Sequence, residues 1–144
     1  MLRDVLTTKE TNMSRFYRIA MDVSGSSPLG TGPYNSRRKI DQCFDYRMDG
    51  ARHPPPHEDG GLAEFWRGEI TGVYAWRFGF SSKSQARAWF YKRSWLEWMD
   101  AAGYVLLVCE VPKTDFKSGW AQAIARAAAC EVVETRSVLS LVEE

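Results

Sequence analysis

Apolar and polar residues alternate along two stretches of the chain, Phe16–Val23 and Val73–Phe80. This period of two predicts a β-strand in each stretch, half buried against a core. In the first strand Arg18 shares a face with Phe16 and Ala20, so a charged side chain is predicted in the middle of a sheet. In the second strand the aromatic residues share one face, which we expect to be the core face.

Two further strands are predicted in the C-terminal third of the chain. Tyr104–Val111 is almost entirely apolar, which is typical of a strand buried on both faces, and Pro112 would end it. Glu131–Leu139 also has a strand pattern. The alanine-rich stretch Ala121–Ala129 lies between them, and its intrinsic propensity favours a helix.

Three helices are predicted. Apolar residues at helical spacing mark the first, over residues 35–48. The other two each begin with a capping box, Ser82-x-x-Gln85 and Ser94-x-x-Glu97, in which the two side chains bond to backbone N–H groups of the first turn. Gly103 is expected to close the last helix, since glycine readily adopts the left-handed conformation of a helix end.

Two loops separate these elements. Ser24–Tyr34 is rich in glycine, serine and proline, so it is predicted to be the most flexible part of the chain. Arg52–Gly61 contains three consecutive prolines, which exclude a helix and favour an extended conformation. We expect this second loop to be a rigid surface loop with an acidic end, followed by one helical turn over Leu62–Trp66.

The order of elements predicts a single α+β domain. The 144 residues are enough to bury a sizeable core, and the predicted strands and helices fit a mixed or antiparallel sheet with flanking helices. We expect this domain to cover residues 14–144, after a flexible leader over residues 1–13. The sequence leaves open whether the protein is a monomer or a homodimer.

Composition narrows the classes of function. The net charge of +1 makes a nucleic-acid partner improbable, and the basic clusters Arg37–Lys39 and Lys92–Arg93 are expected to be solvated. No apolar run approaches the roughly 20 residues of a membrane span. Cys43, Cys109 and Cys130 are isolated in sequence, which is typical of reduced, buried thiols. We therefore expect a cytoplasmic protein with no membrane partner.

His53 and His57 are the only histidines, and Glu58 and Asp59 follow them. Two imidazoles and a carboxylate could bind a metal ion. However, a spacing of four residues brings two side chains together only on a helix, and the intervening prolines exclude one. We therefore predict no metal site, and a loop that lines one rim of a pocket.

A set of polar and aromatic side chains around the predicted helix start at Ser82 could form a ligand site. An arginine together with hydroxyls at a helix start can bind a phosphate. Equally, the arginine can pair with a surface carboxylate while the serines merely cap the helix. The candidate residues are Arg18, Tyr34, Phe80, Ser81, Ser82, and Gln122 or Glu110.

Several motifs in this chain resemble a group of small phage and prophage proteins of uncharacterised function. The resemblance extends over most of residues 16–139. The matching motifs are Tyr17-Arg18, Gly32-Pro33-Tyr34, His53 to Asp59, Phe78 to Phe90, Glu110-Val111-Pro112, and Gly119 to Gln122.

The strand–serine–helix–strand block is also similar to the middle of ADP-ribosyltransferase-like domains. This resemblance implies that Arg18 anchors an NAD cofactor, that Ser81 or Ser82 supports the nicotinamide ribose, and that Gln122 orients that ribose. It also implies a strand over Trp120–Ile124, against the propensity of the alanines. The chain departs from the family in having Gln122 where a glutamate would stabilise developing positive charge, which weakens the case for transfer chemistry.

Two functions follow from these observations. The first is a small NAD-binding, ADP-ribosyltransferase-like enzyme acting on a host target, with Ser82 and Gln122 at the reacting ribose and Tyr34, Trp76 or Phe80 stacked on nicotinamide. In that enzyme the loop Ser24–Pro33 would close over the cofactor.

The second function is a non-catalytic anti-defence inhibitor, of the anti-CRISPR type, that binds a host protein complex. Its support is the surplus of aromatic residues, because exposed tryptophan and tyrosine dominate many interfaces. Trp66, Trp95, Trp98 and Trp120 lie outside the predicted core positions. A purely structural or regulatory domain is the third reading.

Overall fold

The computed structural model describes residues 12–33, 59–63, 65 and 75–142. Within these ranges the structure contains two α-helices and six strands, and the strands form two three-stranded antiparallel sheets. This confirms the predicted α+β class. The elements are β1 (Met13–Ala20), β2 (Trp76–Gly79), α1 (Lys83–Trp89), α2 (Arg93–Ala101), β3 (Val105–Pro112), β4 (Phe116–Ser118), β5 (Ala123–Arg126) and β6 (Glu131–Ser137).

The first sheet has the order β1–β3–β6. β3 lies between its two neighbours and pairs with β1 along its whole length, from Val105 opposite Ala20 to Pro112 opposite Met13. Its residues from Leu106 to Cys109 are all buried, because both faces of the strand are covered. The apolar run therefore behaves as the sequence predicts, and Pro112 is the last residue of the strand.

The second sheet has the order β2–β5–β4, and its central strand is the alanine-rich one. β5 pairs with β2 on one side and with β4 on the other. This pairing overrides the helical propensity of Ala123 and Ala125, whose small side chains are fully buried. The strand begins later than predicted, because residues 120–122 form a loop, and Ala127–Ala129 form a short 3₁₀ turn after it.

The two sheets meet where β1 passes the end of β2. Tyr17 and Phe80 exchange two backbone hydrogen bonds, of 2.8 and 2.7 Å. Next to this bridge β1 and β2 approach each other closely. A Cβ at residue 79 would collide with the Tyr17 carbonyl oxygen and lie 2.6 Å from the Phe16 ring. Gly79 is therefore the residue that allows the sheets to join.

One face of the first sheet packs against both helices. As predicted, β1 sends Ile19 to this face, while Phe16 and Ala20 face a second, smaller cluster on the other side. The helix-side cluster consists of Ile19, Phe80, Ala86, Trp89, Phe90, Trp95, Leu96, Met99, Tyr104, Leu106, Val138 and Leu141.

The start of α1 follows the prediction and the start of α2 does not. Ser82 caps α1, and its hydroxyl accepts a 3.0 Å hydrogen bond from the Gln85 amide. α2 instead begins after Lys92, so Ser94 lies within its first turn and does not cap it. Trp95 and Leu96 of that turn are buried. Gly103 closes α2 as predicted, at φ 99°.

β6 is the last strand of the first sheet, and an irregularity interrupts its pairing with β3. Val108 lies opposite Glu134 but Cys109 lies opposite Val132, so Val133 is an extra residue on β6. A bulge and charged side chains both discourage further strands from adding to a sheet edge. Val133, the extra residue of the bulge, is exposed although it is apolar. The glutamates and the arginine of the same strand lie on either side of it.

Several predictions lie outside the described residues. They are residues 1–11 of the leader predicted over residues 1–13, the helix over residues 35–48, the proline loop up to residue 58, Tyr34, and Trp66. In the part of the chain that is described, no helix is both long enough and apolar enough to cross a membrane.

We predict that Gly79→Ala destabilises the protein by about 1–3 kcal/mol, because the added methyl group forces β1 and β2 apart. The matched control is Gly25→Ala, where a Cβ meets nothing within 4 Å. Urea denaturation of both variants checks this, and equal stability of the two would contradict the close approach as a constraint.

Candidate functional site

Trp120 is the most exposed large apolar side chain among the described residues, with 84% of its surface accessible. It lies in the loop that connects β4 to β5, which we call the Trp120 loop (residues 119–122). Two other tryptophans that the sequence places outside the core, Trp95 and Trp98, differ from it. Trp95 is buried, so that expectation was wrong for Trp95, and Trp98 packs against the helix-side cluster.

The Trp120 loop is held by a buried carboxylate. Asp59 is only 1% exposed, and its two oxygens accept hydrogen bonds from three consecutive backbone amides. Oδ1 accepts from Trp120, and Oδ2 accepts from Ala121 at 3.0 Å and from Gln122 at 3.2 Å. Consecutive N–H groups that converge on one anion form a nest, a recurrent way of compensating negative charge. Asp59, the last acidic residue of the proline loop, is thus buried, and the surface position predicted for it is wrong.

A glutamine of α1 holds the same loop from the other side. The Gln85 side-chain nitrogen donates to the carbonyl oxygens of Gly119 and Trp120, at 3.0 and 3.1 Å. Its side-chain oxygen accepts from the Ser81 amide at 2.8 Å and from the Ser81 hydroxyl at 3.2 Å. The capping residue predicted from the sequence therefore also connects the helix to the Trp120 loop.

Three glycines make this contact possible. A Cβ on Gly119 would overlap the Asp59 carboxylate, and a Cβ on Gly61 would lie 2.7 Å from the Gly119 Cα. A Cβ on Gly60 would lie 2.9 Å from the Trp120 ring. The indole therefore lies against bare backbone, and most of its surface remains open to solvent.

The arrangement presents the indole of Trp120 to solvent on a loop that is bonded internally. The amides of residues 120–122 and the carbonyls of Gly119 and Trp120 are already bonded to Asp59 and Gln85. The backbone of the loop is thus satisfied internally, and the indole is what it offers to a ligand. A rigid, amphipathic ring of this kind is a frequent hot spot of protein interfaces.

Arg18, the predicted cofactor anchor, is buried at the junction of the two sheets. Its Nε donates to the Leu29 carbonyl oxygen at 2.8 Å, and one terminal nitrogen donates to the Phe78 carbonyl oxygen at 2.6 Å. The other terminal nitrogen is 3.4 Å from the Gly30 carbonyl oxygen. These bonds connect β1, β2 and the loop after β1, so they give a structural reason for a charged residue in mid-strand.

Three of the other predicted site residues lie at the ends of two paired strands, β2 and β5. Ser81 and Ser82 follow β2, Gln122 directly precedes β5, and Gly79 of β2 is paired with Ala123 of β5. Gln122 is buried, and Phe80 is part of the helix-side core cluster. The hydroxyls of both serines are bonded to Gln85, so they serve the helix start. Glu110 lies elsewhere, on β3, within 3.7 Å of Arg15.

Two predicted thiols lie near Arg18, on the face of the sheet away from the helices. Burial raises the pKa of Cys109 to about 12, and the nearby Cys130 thiol adds to this. Burial likewise raises the pKa of Cys130 to about 11, although the positive charge of Arg18 opposes the shift. Both side chains are therefore neutral near pH 7, which argues against a nucleophilic role for either.

No metal site is found among the described residues, where no group of His, Cys, Asp or Glu side chains has the required geometry. His53 and His57 lie outside that part of the chain, so the prediction made for them stays a prediction.

Comparison with known protein families gives one match that covers most of the chain. A family described as Bacteriophage T4 Y00F protein matches residues 13–139. The chain belongs to this family. The match confirms the predicted membership of a phage protein family, over nearly the same residues. Neither the curated proteins nor the solved structures include a match to this Y00F-family member.

Sequence reasoning missed Asp59 as a component of the Trp120 loop. The local signal is a pair of glycines after Asp59 and a glycine before Trp120, since glycines mark places where two backbones approach closely. That signal does not say which glycines meet. The partners are 61 residues apart, so only the fold brings them together.

We predict that Arg18→Lys lowers the free energy of unfolding by about 1–3 kcal/mol. A lysine keeps the charge but cannot donate in the planar geometry that reaches Leu29 and Phe78 together. Arg15→Lys is the matched control, because Arg15 lies on the same strand and its side chain is exposed. Equal denaturation midpoints for the two variants would contradict the structural role of Arg18.

Proposed function

We propose that this Y00F-family protein is a non-catalytic binding protein that attaches to a host protein complex through Trp120. The observation that carries the proposal is an indole with 84% of its surface exposed on a loop whose backbone is bonded internally. Exposing so much apolar surface is unfavourable in a free protein, and covering it on binding repays that cost. The membership of a phage family makes a host protein the natural target, and an anti-defence role is the form of this function that we propose.

The rigidity of the loop supports binding over catalysis. Binding costs free energy when a flexible side chain or loop must be ordered, and this loop is already ordered by Asp59 and Gln85. The hydroxyls of Ser81 and Ser82 and the guanidinium of Arg18 are engaged in bonds that hold the fold. A catalytic role would require them to leave those bonds.

We predict that Trp120→Ala weakens partner binding by about 2 kcal/mol or more, close to thirtyfold, without loss of stability. Tagged wild-type and variant proteins are used to capture partners from host lysate, and the captured protein is purified and titrated by calorimetry. Val133→Ala is the matched control, because Val133 is also an exposed apolar residue but lies on β6. Binding of Trp120→Ala with wild-type affinity would contradict the proposal.

A second function, an NAD-binding domain similar to ADP-ribosyltransferases, is favoured by one specific observation. The three residues that the resemblance assigns to the cofactor lie on or beside three neighbouring strands. Arg18 is on β1, Ser81 follows β2, and Gln122 precedes β5. Moreover, β5 shares Ala123 and Ile124 with the strand that the resemblance implies over Trp120–Ile124.

NAD titration separates the two functions. If the cofactor binds, we predict that millimolar NAD raises the melting temperature and gives heat in calorimetry, because a ligand of the native state stabilises it. Gln122→Ala should remove both effects, while Trp120→Ala should leave them unchanged. An unchanged melting temperature together with no heat of binding would exclude the NAD function.

A further inference from the structure

We propose that Asp59 is the positioning residue of the Trp120 loop, acting as an internal anion that fills a nest of three amides. The nest itself is a carboxylate-binding site, and in the native protein the chain supplies the carboxylate from a segment 61 residues away. The link to partner affinity rests on the proposed function, whereas the anion site does not.

The packing of the indole cannot by itself hold the loop in place. Trp120 is largely exposed, and its ring lies against Gly60, which has no side chain to pack with. The position of the Cβ from which the ring projects must therefore come from the backbone that carries it. That backbone is fixed by the Asp59 carboxylate on its N–H groups and by Gln85 on its carbonyl groups.

The nest requires an anion with two accepting oxygens. Oδ1 of Asp59 accepts from Trp120, while Oδ2 accepts from both Ala121 and Gln122. In Asp59→Asn one of these oxygens becomes an NH₂ group, which would point its hydrogens at backbone donors. We therefore predict that asparagine, although it has the same shape as aspartate, does not hold the Trp120 loop. This result would separate the role of the charge and the two acceptor oxygens from the role of packing.

The nest is also sized for a small carboxylate. Asp59 is only 1% exposed. The Cα of Gly119 lies so close to the Asp59 carboxylate that no Cβ could be added to Gly119. In Asp59→Ala the three amides remain but the carboxylate is removed. Formate, the smallest carboxylate, is therefore the probe with which we test these amides.

The experiment uses the full chain with the Asp59→Ala substitution, and follows the backbone amide signals of residues 120–122 by NMR. Sodium formate is expected to return these signals toward their wild-type positions in a saturable manner, and sodium chloride at equal ionic strength is expected not to. Asp100→Ala, which removes an exposed carboxylate from α2, is the control and should show no response to formate. Signals that stay at wild-type positions without formate, or that do not respond to it, would overturn the proposal.

Asp59→Asn keeps the test decisive if Asp59→Ala does not fold. Displaced amide signals in this variant support the anion role, and unchanged signals refute it. The link to affinity is tested by titrating the host protein captured with the wild-type chain with Asp59→Ala. We expect at least a tenfold loss of affinity, restored by formate. Restored amide signals without restored affinity would refute the positioning role, while the effect of Trp120→Ala alone decides the proposed function.

Discussion

A buried carboxylate that is bonded to three backbone amides organises the surface of this protein. Asp59 must be compensated because an ionised group out of contact with water is costly, and the amides of residues 120–122 supply that compensation. These hydrogen bonds fix the short segment after Asp59 against the Trp120 loop. Through Gln85 the same turn is fastened to α1, so the second sheet, a helix and a distant loop are held at one point.

The sequence predicted the elements whose identity is decided locally or by burial. The apolar run that becomes β3 and the serine that caps α1 are examples of each. β5 shows the limit of local propensity, because its alanines favour a helix in isolation and become a strand only when β2 and β4 lie on both sides. The start of α2 shows the limit of local motifs, because the capping box at Ser94 does not begin the helix, which starts after Lys92.

The candidate site was predictable only in part, for the same physical reason. Arg18 was recognised as unusual because a charge in mid-strand needs a partner, but its partners are carbonyl oxygens of a loop and of β2 that no pattern identifies. Trp120 was among the tryptophans placed outside the core, whereas Trp95 was misplaced because α2 turns it inward. The sequence places Asp59 at the acidic end of a surface loop, because its contact with the Trp120 loop exists only in the folded chain.

Our central proposal is that this Y00F-family protein presents one tryptophan as a preformed contact for a host protein. Its most direct test is the measurement of NMR order parameters for the free protein, at the backbone amides of residues 120–122 and at the indole N–H of Trp120. We expect order parameters of about 0.85, equal to those of β3, because Asp59 and Gln85 already hold the loop from both sides. Values below about 0.6 would describe a loop that moves freely on the fast timescale, and would contradict a preformed binding surface.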